Sequence, residues 1–214
     1  MPIRSFYDGA AGSCLDGVSG LGSTYVDLRH HSMGEKGATA IAHALAMNFE
    51  IKSIDLTDNF IEAPGGEQLA LAVLQPTNKT LTSINLSDNK LGRAGIEAFS
   101  EQLAQNDSLL ELFLRNNKID DEGAEEVAKA LSANTTCTRV DLSHNAIGEK
   151  GGIYLGGMLI TNSDLRMFDL SWNSVHGKGA KALSEGLAAN RSVTSCNLGW
   201  NSLGKNTLLS LQSV

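Results

Sequence analysis

The sequence predicts an α/β solenoid, a stack of about seven units that each hold one strand and one helix. Three observations predict it. Asparagines recur at Asn59, Asn89, Asn117, Asn145, Asn173 and Asn201, at intervals of 30, 28, 28, 28 and 28 residues. A leucine stands three residues before each of them, and an apolar residue or cysteine stands five before. A glycine follows six residues later at Gly65, Gly95, Gly123, Gly151 and Gly179. A fixed period of this length marks stacked supersecondary units that cannot bury an apolar face alone.

With the recurring asparagine as position 9, units begin at Ser23, Ile51, Leu81, Leu109, Cys137, Leu165 and Val193. His31 takes the asparagine place in the first unit. Position 6 is leucine in every unit: Leu28, Leu56, Leu86, Leu114, Leu142, Leu170 and Leu198. Position 4 reads Val26, Ile54, Ile84, Leu112, Val140, Phe168 and Cys196. Position 11 reads Met33, Ile61, Leu91, Ile119, Ile147, Val175 and Leu203. Positions 4 and 6 point the same way along a strand, because side chains alternate.

After position 11 the apolar residues take helical spacing. Ile96, Phe99 and Leu103 show it in the third unit, and Ala124, Val127 and Leu131 in the fourth. The expected architecture is a curved parallel sheet inside with helices outside. The position-9 amide is expected to bond backbone groups where each strand turns away. The glycines at position 15, with Gly37 as the first, are expected either to let helices pack closely or to take an unusual backbone.

This pattern resembles the ribonuclease-inhibitor class of leucine-rich repeats over residues 23–204. Val26-Asp27-Leu28-Arg29-His30-His31 with Gly34-Glu35-Lys36-Gly37 is similar to the first repeat of the leucine-rich-repeat-containing protein 74 group. Asp169-Leu170-Ser171-Trp172-Asn173 with His176 and Gly179 is similar to the same group. The repeats also resemble those of nucleotide-binding innate immune receptors. The resemblance implies an intracellular adaptor or scaffold, with a role in innate immune signalling as one expectation. It also carries two alternatives, a GTPase-activating protein and an enzyme inhibitor.

Residues 1–22 break the pattern and are expected to be a leader or a poor cap before the repeat domain at 23–214. The last unit is short: Thr207 stands at position 15, and Leu208, Leu209 and Leu211 are apolar where a solenoid end should be polar. Either a longer array continues there or that end meets another chain. Self-association through the C-terminal end is therefore an expectation.

The chain has 24 acids and 17 bases, a net charge of −7. That balance disfavours nucleic acid, which binds through an excess of Lys and Arg. Three cysteines, Cys14, Cys137 and Cys196, are too few and too odd for a disulfide framework, so a reducing, cytoplasmic location is expected. No run is long and apolar enough for a membrane span.

Several motifs lack the context that their chemistry needs. Gly34-Glu35-Lys36-Gly37 and Gly148-Glu149-Lys150-Gly151 have neither the long glycine loop nor the Ser or Thr of a phosphate loop. His30 and His144 share position 8 four units apart, roughly 19 Å at strand spacing and too far for one metal. No serine or cysteine has a base and an orienting group nearby, so no enzyme activity, metal or cofactor is expected. Asn-x-Ser/Thr sequons occur at Asn78, Asn85, Asn106, Asn134 and Asn190. Most fall just past a helix, where asparagine suits a left-handed helix end and the sequon is incidental.

Positions 2, 3, 5, 7 and 8 should face the concave side. Position 5 reads Asp27, Asp55, Asn85, Phe113, Asp141, Asp169 and Asn197, an acidic midline. Arg29, Lys52, Arg115, Arg139 and Arg166 flank it. Trp172 and Trp200 share position 8 in adjacent units, with attachment points about 5 Å apart. They read either as binding anchors or as two indoles that stack and shield the ladder. The candidate partner-binding residues are Phe113, Arg115, Asp141, His144, Asp169, Trp172 and Trp200, suited to a protein segment that is basic and apolar.

Overall fold

The computed structural model describes residues 24–75 and 77–204. Strands and helices alternate as β1 (Tyr25–Asp27), α1 (Gly34–Ala46), β2 (Ser53–Asp55), α2 (Ala63–Val73), β3 (Ser83–Asn85) and α3 (Gly92–Leu103). They continue as β4 (Glu111–Phe113), α4 (Asp121–Ala133), β5 (Arg139–Asp141), α5 (Glu149–Thr161), β6 (Met167–Asp169), α6 (Gly177–Ala189) and β7 (Ser195–Asn197). The leader at 1–22 and the shortened last helix after Gly204 lie outside the described residues, as do Cys14 and Thr207.

The seven strands form one parallel sheet in chain order. Each pairs with the next at the same repeat position: Val26 opposes Ile54, Ile84 opposes Leu112, and Phe168 opposes Cys196. The strands span only positions 3 to 5. The hydrogen-bond ladder runs further, because Leu56 N–H donates to Asn85 O at 2.8 Å and Asp58 N–H to Ser87 O at 3.0 Å.

Positions 4, 6 and 11 form the core. Ile84, Leu86 and Leu91 are fully buried, as are Val140, Leu142 and Ile147. Ile96, Phe99 and Leu103 meet them from α3, and Val127 and Leu131 from α4. Cover thins at the last described repeat, where Val193, Cys196 and Leu198 are only partly buried.

Of the two roles expected for the position-15 glycines, close packing is the one found. A Cβ at Gly65 would lie 3.0 Å from the Ala38 Cβ, and one at Gly179 would lie 2.4 Å from the Glu149 carbonyl. None of the position-15 glycines has a positive φ. Strands pair at about 4.8 Å whereas helices pack at 8–10 Å, so stacking such units puts the sheet on the inner, concave side.

Two asparagine ladders satisfy the turns. At position 9, Asn59 Nδ2 donates to Leu28 O at 2.7 Å and Leu56 O at 3.0 Å, while its Oδ1 accepts the His31 N–H at 3.0 Å. Asn145 and Asn173 repeat the arrangement. A second ladder runs along the helix ends. Asn134 Nδ2 donates to Leu103 O and Asn106 O, each at 2.8 Å, and its Oδ1 accepts Thr136 N–H and Cys137 N–H.

This second ladder corrects the reading of the sequons. Asn134, Asn162 and Asn190 are extended, with φ of −79°, −74° and −68°, and are not left-handed. The paired hydroxyl also has a role: Ser108 Oγ donates to Asn78 O at 3.1 Å and Thr136 Oγ to Asn106 O at 3.3 Å. The sequons at Asn78, Asn106 and Asn134 are buried parts of this ladder.

Candidate partner-binding face

Position 5 begins the sheet face, and its chemistry is set by the backbone. In six units the side-chain Oδ1 accepts the N–H of position 7. The donors are Arg29 to Asp27, Thr57 to Asp55 and Ser87 to Asn85. Ser143 donates to Asp141, Ser171 to Asp169 and Gly199 to Asn197. This is an Asx turn that closes the end of each strand. Phe113 is the exception, since it has no acceptor.

The acidic midline is therefore not uniformly open. Asp27 is exposed, but Asp141 and Asp169 are 2% and 5% exposed. Ser171 Oγ donates to Asp169 Oδ1 at 2.6 Å, and Asn197 Nδ2 donates to Asp169 Oδ2 at 2.9 Å. Burial pushes the Asp141 carboxyl above the ordinary carboxylate range. The hydrogen bond from the Ser143 N–H opposes that shift, the Asp169 charge adds to it, and the nearby Arg115 charge opposes it.

Position 8 is the second row. His30, Asp58, Asp88, Asn116, His144, Trp172 and Trp200 all take positive φ, between 51° and 62°. Asp, Asn and His tolerate this conformation comparatively well, whereas a bulky tryptophan does not. The left-handed residue turns the chain out of the strand and projects its side chain along the rim.

Neighbours in this row touch. His30 Nδ1 lies 2.9 Å from Asp58 Oδ2, and Asn116 Nδ2 donates to Asp88 Oδ1 at 2.8 Å. In the last three units the row is aromatic. The His144 and Trp172 rings stack at 5.0 Å and 15°, and the Trp172 and Trp200 rings at 4.3 Å and 15°. Burial holds the His144 imidazole below its usual range, with Arg115 adding and Asp88 and Asp169 opposing. It therefore stacks as a neutral ring at neutral pH.

Trp172 and Trp200 nevertheless remain 45% and 72% exposed. The stack and the open surface coexist: Trp172 lies between His144 and Trp200 with its edges open, and Trp200 is covered on one face and presents the rest to solvent. Phe113, Asp141 and Asp169 lie side by side through strand register, and His144, Trp172 and Trp200 follow along the rim. The seven candidate residues thus fall on β4 to β7 and the turns that follow them. The positive φ at position 8 was the feature that sequence reading missed. Its signal was the run of His, Asp and Asn at one repeat position.

The other motifs have structural explanations. Asp121 Oδ1 accepts Gly148 N–H at 2.6 Å and Gly151 N–H at 2.9 Å, so the start of α5 is already capped by a carboxylate. Cys137 and Cys196 are free thiols, and burial pushes the Cys137 thiol up to about 12. Among the described residues no cluster of His, Cys, Asp or Glu could hold a metal. No described helix is long and apolar enough to cross a membrane.

A Leucine Rich repeat family model matches residues 77–100, 105–128, 133–156 and 161–184, one 28-residue step apart. Among solved structures, the leiomodin-1 actin-binding site 2 superposes with a TM-score of 0.61 at 21% identity, over 68% of this chain and 85% of that one. An internalin from Listeria monocytogenes aligns with a TM-score of 0.48 at 18% identity, over 82% of this chain and 48% of that one. The repeat pattern, the sheet register and the family-model matches agree that the chain is an α/β solenoid of tandem leucine-rich repeats.

Proposed function

We propose that this solenoid is a non-enzymatic protein-binding scaffold that grips a partner segment on its concave face, toward the C-terminal half. The observation that carries it is the aromatic stack on the rim. Two tryptophans occupy a backbone conformation that costs roughly 1–2 kcal/mol for an ordinary side chain. An offset ring stack is worth about 0.5–1.5 kcal/mol, enough to hold the geometry but not to explain why tryptophan was chosen over asparagine. Strain held at an exposed aromatic pair is characteristic of a recognition surface.

The open face of Trp200 suits a cation or another ring. A partner segment with an Arg or Lys beside an apolar residue fits, and the net charge of −7 favours its approach. One helix in every 28-residue unit supports membership of the ribonuclease-inhibitor class. The leiomodin-1 fragment is an actin-binding site, which makes a protein partner the natural class and actin one protein to assay.

The test pairs capture with mutation. Partners held by the intact chain are cross-linked, and their contacts are mapped by mass spectrometry. Contacts at Arg115, Arg166 and the Trp172–Trp200 rim, lost in a Trp172→Asn/Trp200→Asn variant that remains folded, support the reading. Contacts confined to the helices, unaffected by that variant, overturn it.

A further inference from the structure

The helix side of the solenoid is largely polar, with Leu71 on α2 a single exposed apolar side chain and α5 carrying several together. Its outward residues are Lys150, Ile153, Tyr154, Gly157, Ile160 and Thr161, all exposed. On a helix of 3.6 residues per turn these form one continuous stripe with Gly157 at its middle. One repeat earlier the same positions carry Glu122, Glu125 and Lys129 on α4. One repeat later they carry Lys178, Lys181 and Glu185 on α6.

Gly157 has no reason to be glycine within this chain. The other α5 glycines are enforced by contact: a Cβ at Gly152 would lie 2.9 Å from the Gly179 Cα, and one at Gly156 would lie 2.5 Å from the Ala182 carbonyl carbon. A Cβ at Gly157 would meet nothing within 4 Å. A helix-interior glycine is destabilising. Placed at the centre of an exposed apolar stripe, it instead lets another backbone approach closely.

We propose that the α5 stripe is the contact between two copies of this chain, packed with their α5 helices parallel about a two-fold axis. The flanking charges select this occupant. A two-fold axis along α5 brings α4 of each copy over α6 of the other, at equal height. Glu122 then faces Lys178, Glu125 and Glu126 face Lys181, and Lys129 faces Glu185. Each of these flanking pairs is opposite in sign, and the like-charged contact is Lys150 at the end of the stripe, which meets its own copy. An antiparallel pairing centred on Gly157 instead sets Lys129 against Lys129 and Glu185 against Glu185.

The side chains needed are available. Lys129, Lys181 and Glu185 are 60%, 75% and 64% exposed in their present pairs on the same helix. Such exposed pairs are weak and exchange readily. This contact is isologous, so the same patch serves both copies. It lies on the opposite side from the concave face and stands or falls independently of the partner-binding reading.

The experiment is sedimentation equilibrium of the intact chain across a wide concentration range, at low and high salt. A monomer–dimer equilibrium that weakens with salt is expected. Ile153→Glu should raise the dimer Kd at least ~10-fold. Gly157→Leu should abolish the dimer while raising the melting temperature of the monomer, which separates lost docking from lost folding. Lys129→Glu and Glu185→Lys should each weaken the dimer, and the double variant should restore it.

Orientation is read by oxidative cross-linking against the unsubstituted chain. In the parallel dimer, Ile153→Cys and Ile160→Cys each link to their own copy, whereas antiparallel packing links only a mixture of the two. A monomer at every concentration overturns the proposal, as does a dimer indifferent to Gly157→Leu. Binding of the monomer to neutral phosphatidylcholine vesicles, lost on Ile153→Glu, would assign the stripe to lipid and overturn it as well.

Discussion

The rings of Trp172 and Trp200 lie 4.3 Å apart and within 15° of parallel, although both residues hold a left-handed backbone with φ of 55° and 58°. The backbone conformation throws both indoles onto the rim, and the 28-residue repeat sets them one strand apart. Stacking follows from those two constraints together. The structural role expected for the pair, mutual shielding, is present, and so is the exposed surface that a binding role needs.

Replacement by asparagine separates the two roles. Asparagine tolerates a positive φ, as Asn116 does at φ 51°. Trp200→Asn relieves strain as it removes the stack, so chemical denaturation should show stability unchanged within about 1 kcal/mol. Trp172→Ala is expected to weaken partner binding by about 2 kcal/mol or more per folded molecule. A large fall in unfolding midpoint with affinity intact would make the indoles structural.

Asp141 offers a test of the Asx turn. Its carboxyl is raised by burial, so the protonated form is favoured in the fold. A raised carboxyl stabilises below its unfolded value near 3.9, and that contribution is lost as pH rises through the folded value. Asp141→Asn keeps the acceptor for Ser143 N–H, as Asn85 does for Ser87 at 3.0 Å, and removes the buried charge. Its stability relative to the parent should rise from pH 4 to pH 7 and stay within about 1 kcal/mol of it. Asp141→Leu leaves the Ser143 N–H without its partner and should cost about 1–3 kcal/mol at either pH. Urea titrations at the two pH values read both.

His144 should behave in the opposite sense. Burial lowers its value, so the neutral ring is favoured in the fold. Its contribution is complete above the ordinary histidine value of about 6.5 and is lost as pH falls through the lowered one. Tryptophan emission should report a looser stack on acidification, and His144→Phe should remove that dependence.

The core and the ladder can be compared directly. Leu142 is fully buried at position 6, and Leu142→Ala should destabilise by roughly 2–5 kcal/mol in denaturant unfolding. Asn117 is also fully buried, and its Nδ2 donates to Leu86 O at 2.8 Å. Asn117→Ala leaves the buried Leu91 N–H, which its Oδ1 accepts at 3.4 Å, without that partner and should cost about 1–3 kcal/mol. A ladder variant without effect would mean that water replaces the amide.

The thiols give a last check. Cys137 is fully buried and its thiol stands near 12, so a maleimide should modify it only as fast as the solenoid opens. Rapid labelling of Cys137 in the native protein would contradict the packing of the fifth repeat.

Period and register were determined by the sequence alone. A 28-residue step with Leu142 and its counterparts at position 6 admits one stacking, because a slip by one residue would turn every strand's apolar side outward. The asparagine at position 9 was legible for a similar reason, since a buried amide at each turn has a backbone group to satisfy. Only the tertiary structure decided which polar residues face solvent. Asp27 and Asp141 share a repeat position, yet one is exposed and the other 2% exposed. The difference comes from neighbours that sequence distance does not record: Asp141 sits beside Phe113 and Asp169 on adjacent strands, in the interior of the sheet. The stacking of Trp172 on Trp200 was likewise decided in three dimensions. Two residues 28 apart in the chain meet because each takes the same left-handed turn at the end of a parallel strand.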